Sequence, residues 1–420
     1  MTRPYELRDG LEVSSSEYST RIKRLTLIGI SFLHLAVGRG IRGTYGVFYV
    51  TLLEAFGWSR AVTAGAISLS IVFEGISFPF VGSLTDRLGP RRTLVVGGSL
   101  LALGLGFSAT ISSLWQLYLW LGLVTSLGFG LIGMVPHVVM LAREFSKHRG
   151  AVLGLAYAGG GVGILLFVPL TQIMIDSWGW SVAYLGLAGI TALFVVPSAW
   201  FIPTPKSGQS VQSARAGGKK TDWTVKEALT TLSFWLLFSS RVLASMGNQI
   251  VITHQIAHAV DAGFSKLFAA SIFGLMGVVS IFGRVLFGSL ADRIRGESVF
   301  TLVQVISTLG IASLMAVQDQ SSAALLYAYA LFYGLGQGSR ALVLSTISAD
   351  LFLGKNFGAI YGYFTMSIGV GGAFGAWLGG FIHDTTDSYF IAFLIAMFCF
   401  IASTINVWQV RRSPKSIEGK

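Results

Sequence analysis

Long apolar stretches alternate with short polar ones along the whole chain, and the length of the stretches matches a bilayer. A spanning helix needs about 20 mostly apolar residues. Twelve such stretches are predicted, at 25–53, 62–84, 93–113, 115–141, 151–174, 180–202, 233–257, 267–291, 298–318, 323–348, 357–382 and 388–409. The pattern predicts an all-α integral membrane protein with twelve transmembrane helices.

Composition agrees: of 420 residues, 53% are hydrophobic and 12% charged, far from the usage of soluble domains. The net charge of +11 changes the picture only through its placement. Of the 30 Lys and Arg, 23 fall in the tails and even-numbered loops, including Arg87, Arg91, Arg92, Arg143, Lys147, Arg149, Lys219 and Lys220. Only Arg60 and Lys266 fall in odd-numbered loops. This bias places both termini and the central loop in the cytoplasm, and predicts a multi-pass protein of the cytoplasmic (inner) membrane with no nucleic-acid surface. Met1 to Arg24 lacks the order of features of a cleaved signal and reads as a mature cytoplasmic tail. The lone cysteine, Cys399, excludes an intrachain disulfide and is expected to pack against lipid.

The two halves repeat. Gly82-Ser83-Leu84-Thr85-Asp86-Arg87 recurs 206 residues later as Gly288-Ser289-Leu290-Ala291-Asp292-Arg293. Gly57-Trp58-Ser59-Arg60 recurs at the same offset as Gly263-Phe264-Ser265-Lys266. Lys147 to Gly163 aligns with Lys355 to Gly371 at offset 208, pairing Gly150 with Gly358, Ala151 with Ala359 and Gly154 with Gly362. Repeats of this kind predict two pseudo-symmetric six-helix bundles with a site at the midplane between them. The expected organisation is a tail at 1–24, bundles at 25–202 and 223–409, a linker at 203–222 and a tail at 410–420.

Gly82 to Arg92, GSLTDRLGPRR, resembles the loop 2–3 signature of the major facilitator superfamily. Phe145, Lys147, Arg149, Gly154, Ala156, Ala158 and Gly159 are similar to the span 4–5 signature of monocarboxylate porters, with Glu144 in place of its tyrosine and Ala151-Val152 in place of Leu-Ala. A second signature of that group, entering span 1, is absent, which points to a distant branch that includes oxalate/formate exchangers. The resemblance implies a cavity lined by spans 1, 4, 7 and 10 and flanked by 2, 5, 8 and 11. It also implies a latch between the halves formed by Asp86 and Arg87, with Gly82, Arg91, Asp292 and Arg293 in the same motif and its repeat.

Five cations remain within spans, Arg39, Arg42, Arg241, Arg284 and Arg340, against one acid, Glu74. A charge at the bilayer centre costs about 2.5–3.5 kcal/mol on insertion scales, so an anion is the natural partner for the excess. At a rise of about 1.5 Å per residue, Arg284 lies roughly 12 Å and Arg340 roughly 15 Å from the loops that follow them, near the midplane. Arg284 matches the span 8 arginine with which the resembled porters bind substrate carboxylate. Ser280 stands where proton-coupled members carry an aspartate, and Thr365-Met366-Ser367-Ile368 where the oxalate exchangers carry a second cation. Arg340 or Arg42 would then be the second clamp, whereas Arg39 and Arg241, nearer the cytoplasmic half, read as structural. Tyr329, Tyr333, Gln337 and Arg340 form one stripe at helical spacing, and Arg241, Ser245 and Asn248 another. Arg284, Arg340, Arg42, Tyr333, Gln337 and Asn248 are therefore the substrate-binding candidates.

Glu74 is either a proton carrier or a salt-bridge partner. His34, His137, His254 and His258 are expected to be hydrogen-bonded packing residues. Gly159 with Gly163, and Gly371 with Gly375 and Gly379, have the spacing of close helix contacts. No GxxxxGK[ST], HExxH or GxSxG motif occurs, so neither ATP-driven transport nor enzymatic activity is supported, and no cofactor or metal is expected. The expected function is secondary transport of a small carboxylate, such as lactate or pyruvate, by a monomer in the lipid bilayer, with protons or a second anion as coupling ion. Export of acidic compounds, or sensing by a transporter-like fold, are the alternatives.

Overall fold

The computed structural model describes residues 6–58, 60–145, 147–202 and 223–410. The expected linker at 203–222 and most of the C-terminal tail lie outside the described residues. The regular structure among them is helical and, apart from a short helix at Val225–Leu229 and a turn at Gln320–Ser322, falls into the twelve expected spans. Span 1 comprises Glu6–Gly43 and Tyr45–Phe56, span 2 Arg60–Leu88 and span 3 Pro90–Ser108. Span 4 runs from Leu114 to Ile132 and, after a break, over Met134–Glu144. Spans 5 and 6 share the run Arg149–Ile190 and continue to Trp200, divided at Gly179, whose φ of 82° and ψ of 166° suit only glycine. Span 7 is Leu232–Asp261, span 8 Lys266–Ala291, span 9 Gly296–Met315, span 10 Ala323–Gln337 with Arg340–Phe352, span 11 Phe357–Thr386 and span 12 Phe390–Gln409.

Eight stretches are long and apolar enough to cross a membrane by themselves, one of them covering spans 5 and 6. The other three spans have identifiable reasons to fall short: span 3 is rich in glycine and opens on Arg91 and Arg92, span 7 carries Arg241, Asn248 and His254, and span 10 is broken. The tail boundary expected at 24 falls inside the first helix of span 1, which starts at Glu6. Cys399 is not lipid-facing: it is 3% exposed, on the face of span 12 that carries Ala396 and Phe400 toward spans 7 and 9. The lipid-facing side is marked instead by residues such as Leu193 and Phe398, 72% and 67% exposed.

Lipid tails offer no hydrophobic drive for helix association, so close backbone packing must supply it. A methyl placed on Gly163 of span 5 would lie 1.9 Å from the Ala36 carbonyl of span 1. In the second bundle the equivalent methyl on Gly371 would lie 2.2 Å from the Val242 carbonyl of span 7. The same symmetry governs the seam between bundles, where span 2 packs on span 11 and span 5 on span 8. Here a methyl on Gly82 would meet the Gly358 carbonyl at 1.9 Å, and one on Gly150 the Gly288 carbonyl at 2.2 Å.

The seam is closed at one end. Spans 4 and 10 touch the opposite bundle through the halves that adjoin Glu144 and Phe352, with no comparable contact by their other halves among the described residues. The closed end carries Asp86 and Asp292 and is called the latch face below. Both broken spans are interrupted at matching depth, span 4 at Gly133 and span 10 at Gly338-Ser339, as in transporters whose substrate sites lie beside discontinuous helices.

Candidate functional site: a latch and an arginine cluster between the bundles

At the latch face each bundle caps a helix of the other. The Asp86 carboxylate accepts the backbone N–H of Gly358 (3.0 Å) and Ala359 (2.8 Å) in the first turn of span 11. Asp292 accepts the N–H of Gly150 (2.7 Å) and Ala151 (2.8 Å) in the first turn of span 5. Acids are favoured at these helix starts, because the N–H groups are otherwise unsatisfied and the helix dipole is positive there. Arg143 donates to Asp86 at 2.7 Å within the first bundle and, across the seam, to the Lys355 carbonyl at 3.0 Å; Arg149 donates to Asp350 at 2.6 Å, also across the seam. The arginine paired with Asp86 is thus Arg143 of span 4 and not the adjacent Arg87, which with Arg293 is exposed. Arg91 lies over the Trp200 ring at 4.7 Å, within the first bundle.

Farther in, Arg42 of span 1 forms an ion pair with Glu74 of span 2 and lies over the Phe129 ring at 5.6 Å. Arg39, one turn earlier, is exposed although it sits deep in the bundle, so it borders the space between the halves. Two consecutive glycines of span 5 bring it near Arg284. A methyl on Gly160 would lie 3.1 Å from Arg39 Cγ, and one on Gly161 3.3 Å from Arg284 Nη1. Arg284 donates through Nη1 to the Tyr157 carbonyl at 2.9 Å. Span 10 passes over it at its break: a methyl on Gly338 would meet Arg284 Cγ and Nε at 3.0 Å and the Ser280 carbonyl at 2.4 Å. Side chains at 161 and 338 would fill the space the guanidinium occupies.

Arg39, Arg42 and Arg284 therefore share the meeting point of the two bundles with a single carboxylate, Glu74, already engaged by Arg42. Two positive charges remain without an acid among the described residues, and neither belongs to the same bundle as the other. Arg39, read from the sequence as structural, stands closer to Arg284 than the expected second clamps do.

Arg340, Tyr333 and Asn248 also come together, but elsewhere. Arg340 is 4% exposed; it donates to Ser307 of span 9 at 2.7 Å and to the Asn248 side-chain oxygen at 2.5 Å, and lies over the Tyr333 and Phe400 rings at 5.0 and 4.5 Å. The break in span 10 turns it toward spans 9 and 12. The expected continuous stripe from Tyr329 to Arg340 is accordingly divided: Tyr329 donates to Gln255, Gln337 ends the first half, and Arg340 starts the second. Each expected packing histidine has a neighbour at hydrogen-bond distance: His34 and Ser198 (2.8 Å), His137 and Ser31 (3.1 Å), His254 and the Ala376 carbonyl (3.1 Å), His258 and the Leu314 carbonyl (3.0 Å).

Sequence reading did not single out Tyr157. Its one signal is a large polar ring among the small residues of Gly154 to Gly163. Arg143, Arg149 and Asp350 were likewise missed as seam residues, because their partners are some 200 positions away.

The Major Facilitator Superfamily model matches residues 30–339 and 298–420. Monocarboxylate transporter 13 of Rattus norvegicus is 29% identical over 370 residues, 87% of this chain and 84% of its own length. Monocarboxylate transporter 11 of Mus musculus is 30% identical over 368 residues, 85% of this chain and 80% of its own. The E. coli fucose:proton symporter superposes with a TM-score of 0.72 at 16% identity, covering 94% of this chain and all of that one. The proton:xylose symporter bound to 6-bromo-6-deoxy-D-glucose gives 0.76 at 14% identity, covering 94% and 98%.

Proposed function

The chain belongs to the Major Facilitator Superfamily of membrane transporters, and from that premise we propose that it is a secondary transporter of small organic anions, a monocarboxylate such as lactate or pyruvate, working by alternating access. Members of this superfamily are not enzymes, and the remaining question is what crosses and how. The observation that carries the reading is the charge imbalance where the bundles meet: Arg39 on one side, Arg284 on the other, and no acid free to compensate them among the described residues. Similarity to two monocarboxylate transporters over most of the chain supports the same substrate class.

In this mechanism a carboxylate enters from the face opposite the latch and takes the planar fork of Arg284 by charge-assisted hydrogen bonds. Arg39 adds the second positive charge from the other bundle, so the anion draws the halves together around it. The latch then parts and the site opens to the other side. Because substrate must leave as readily as it enters, its affinity has to be similar in the two end states. The latch face is assigned to the cytoplasm on the distribution of Lys and Arg.

Coupling turns on Glu74. Its ion pair with Arg42 supports a structural role in this conformation, and a proton-coupled cycle would need that pair to open. Counterflow in proteoliposomes across lactate, pyruvate, formate, oxalate and larger carboxylates, with and without a pH gradient, tests the reading. Saturable monocarboxylate uptake supports it; stimulation by inside-alkaline pH means proton symport, and indifference to the gradient means anion exchange. No flux of any carboxylate would overturn the substrate assignment in favour of acidic-compound export or sensing.

A further inference from the structure

We propose that Arg241 is a second anion site, on the latch side of Arg284, sealed in the conformation seen here and uncovered when the bundles part. The proposal rests on the carboxylate-transport reading above and adds a waypoint to it.

Arg241 lies on span 7 against Tyr361 and Phe364, three and six residues along span 11 from the latch glycine Gly358, whereas Arg284 is held at Tyr157 and Gly161, seven and eleven residues along span 5 from the equivalent glycine Gly150. It is 2% exposed, and none of its three guanidinium nitrogens has a hydrogen-bond partner among the described residues. Its surroundings are aromatic: the guanidinium carbon is 4.6 Å from the Phe364 ring centre and 5.9 Å from that of Tyr361, both on span 11. A ring face attracts a cation but leaves the N–H groups in the guanidinium plane unsatisfied. Five donors sealed in this way are costly, and a single conformation that offered them nothing throughout the cycle would be selected against on stability alone. Arg340, equally enclosed, shows what a structural arginine obtains in this bundle: Ser307, Asn248 and Tyr333 as partners.

What seals Arg241 is a contact between the bundles. The Tyr361 hydroxyl is 2.6 Å from that of Ser345 on span 10, and the Tyr157 hydroxyl of span 5 is 3.3 Å from Ser345 and 3.5 Å from Tyr361. Tyr157 is also the residue whose carbonyl holds Arg284. One residue of the first bundle thus ties the central arginine, through its carbonyl, to the wall of the second, through its hydroxyl. When span 5 withdraws as the latch opens, Arg284 loses that carbonyl, and Tyr361 and Ser345 lose the Tyr157 hydroxyl. Arg241 is then adjacent to the opened vestibule, with the Tyr361 hydroxyl, relieved of Tyr157 though still beside Ser345, available to share an oxyanion. A carboxylate released by Arg284 has a cation waiting on its way out, and one arriving from that side meets Arg241 first.

The test compares wild type with Arg241→Gln and Arg241→Lys in right-side-out and inside-out membrane vesicles, with labelled pyruvate as the probe. Arg241→Gln is expected to raise KM about tenfold or more at the latch face, the loss of one charge-assisted hydrogen bond, with KM at the opposite face within about twofold of wild type. Arg241→Lys should recover part of the loss. An unchanged KM at the latch face, or an equal rise at both faces, overturns the second site. If Arg241→Gln does not accumulate, Ser345→Cys in a Cys399→Ala background provides the second measurement, by reaction with a membrane-impermeant methanethiosulfonate added at the latch face. Pyruvate should slow that reaction several-fold; no protection overturns the proposal. Absence of pyruvate flux in wild-type vesicles at either face would be the failure of the carboxylate reading itself, and the second site would fall with it.

Discussion

Removing the Asp292 carboxylate should open the latch without touching the arginine cluster. Asp292 holds two N–H groups of the opposite bundle, at 2.7 and 2.8 Å, and is half-buried. Hydrogen bonds to a charged group contribute about 1.5–3 kcal/mol each. Two that share one solvent-touched carboxylate fall at the lower end, about 3 kcal/mol for the pair. At 1.4 kcal/mol per factor of ten, Asp292→Ala should shift the balance between latched and open forms by about 100-fold. Spin labels at Lys147→Cys and Arg293→Cys, exposed residues on opposite bundles, report the separation in a Cys399→Ala background. The wild type should give a short, narrow distance distribution and Asp292→Ala a longer one. Asp292→Asn, which keeps an acceptor oxygen but not the charge, should fall between. Identical distributions for wild type and Asp292→Ala would refute the assignment of these bonds as the latch.

Two further outcomes follow from the same geometry. Gly82→Val puts a Cβ 1.9 Å from the Gly358 carbonyl oxygen, so it should produce the open distance distribution with every latch charge intact; a normal latched distribution would contradict the close approach of spans 2 and 11. Glu74→Gln leaves the half-buried Arg42 against the Phe129 ring without its carboxylate, and is expected to destabilise the protein by about 1–2 kcal/mol in thermal unfolding, whereas Arg42→Leu with Glu74→Leu should recover most of it. Equal melting of the single and double variants would show that the pair is not a structural unit.

What the sequence revealed and what it did not divide along a physical line. Hydrophobic period and internal repetition are local or register-like properties, so the twelve spans, the two bundles and the equivalence of Asp86 with Asp292 could all be read from one chain. Arg284 could be placed by counting helical rise back from Asp292, because span 8 is unbroken between them. The same count for Arg340 gave a depth but not a direction. The break at Gly338-Ser339 rotates it toward Ser307 and Phe400, and the approach of Gly338 to Arg284 at that break is a tertiary contact that periodicity does not carry. Arg39 was read as structural because only its depth was legible; its approach to Arg284 depends on the crossing at Gly160 and Gly161. Arg143 sits 57 residues from Asp86 and 212 from Lys355, separations at which periodicity carries no information.

The central claim is that a carboxylate binds Arg284 where the bundles meet. Saturable pyruvate counterflow by Arg284→Gln, in proteoliposomes loaded to equal protein content and with the latch distance distribution unchanged from wild type, tests it most directly. The account predicts loss of saturable uptake, by about 100-fold or more in kcat/KM for removal of a bidentate charged contact, with a small recovery in Arg284→Lys. Saturable uptake by Arg284→Gln with the wild-type KM would contradict it.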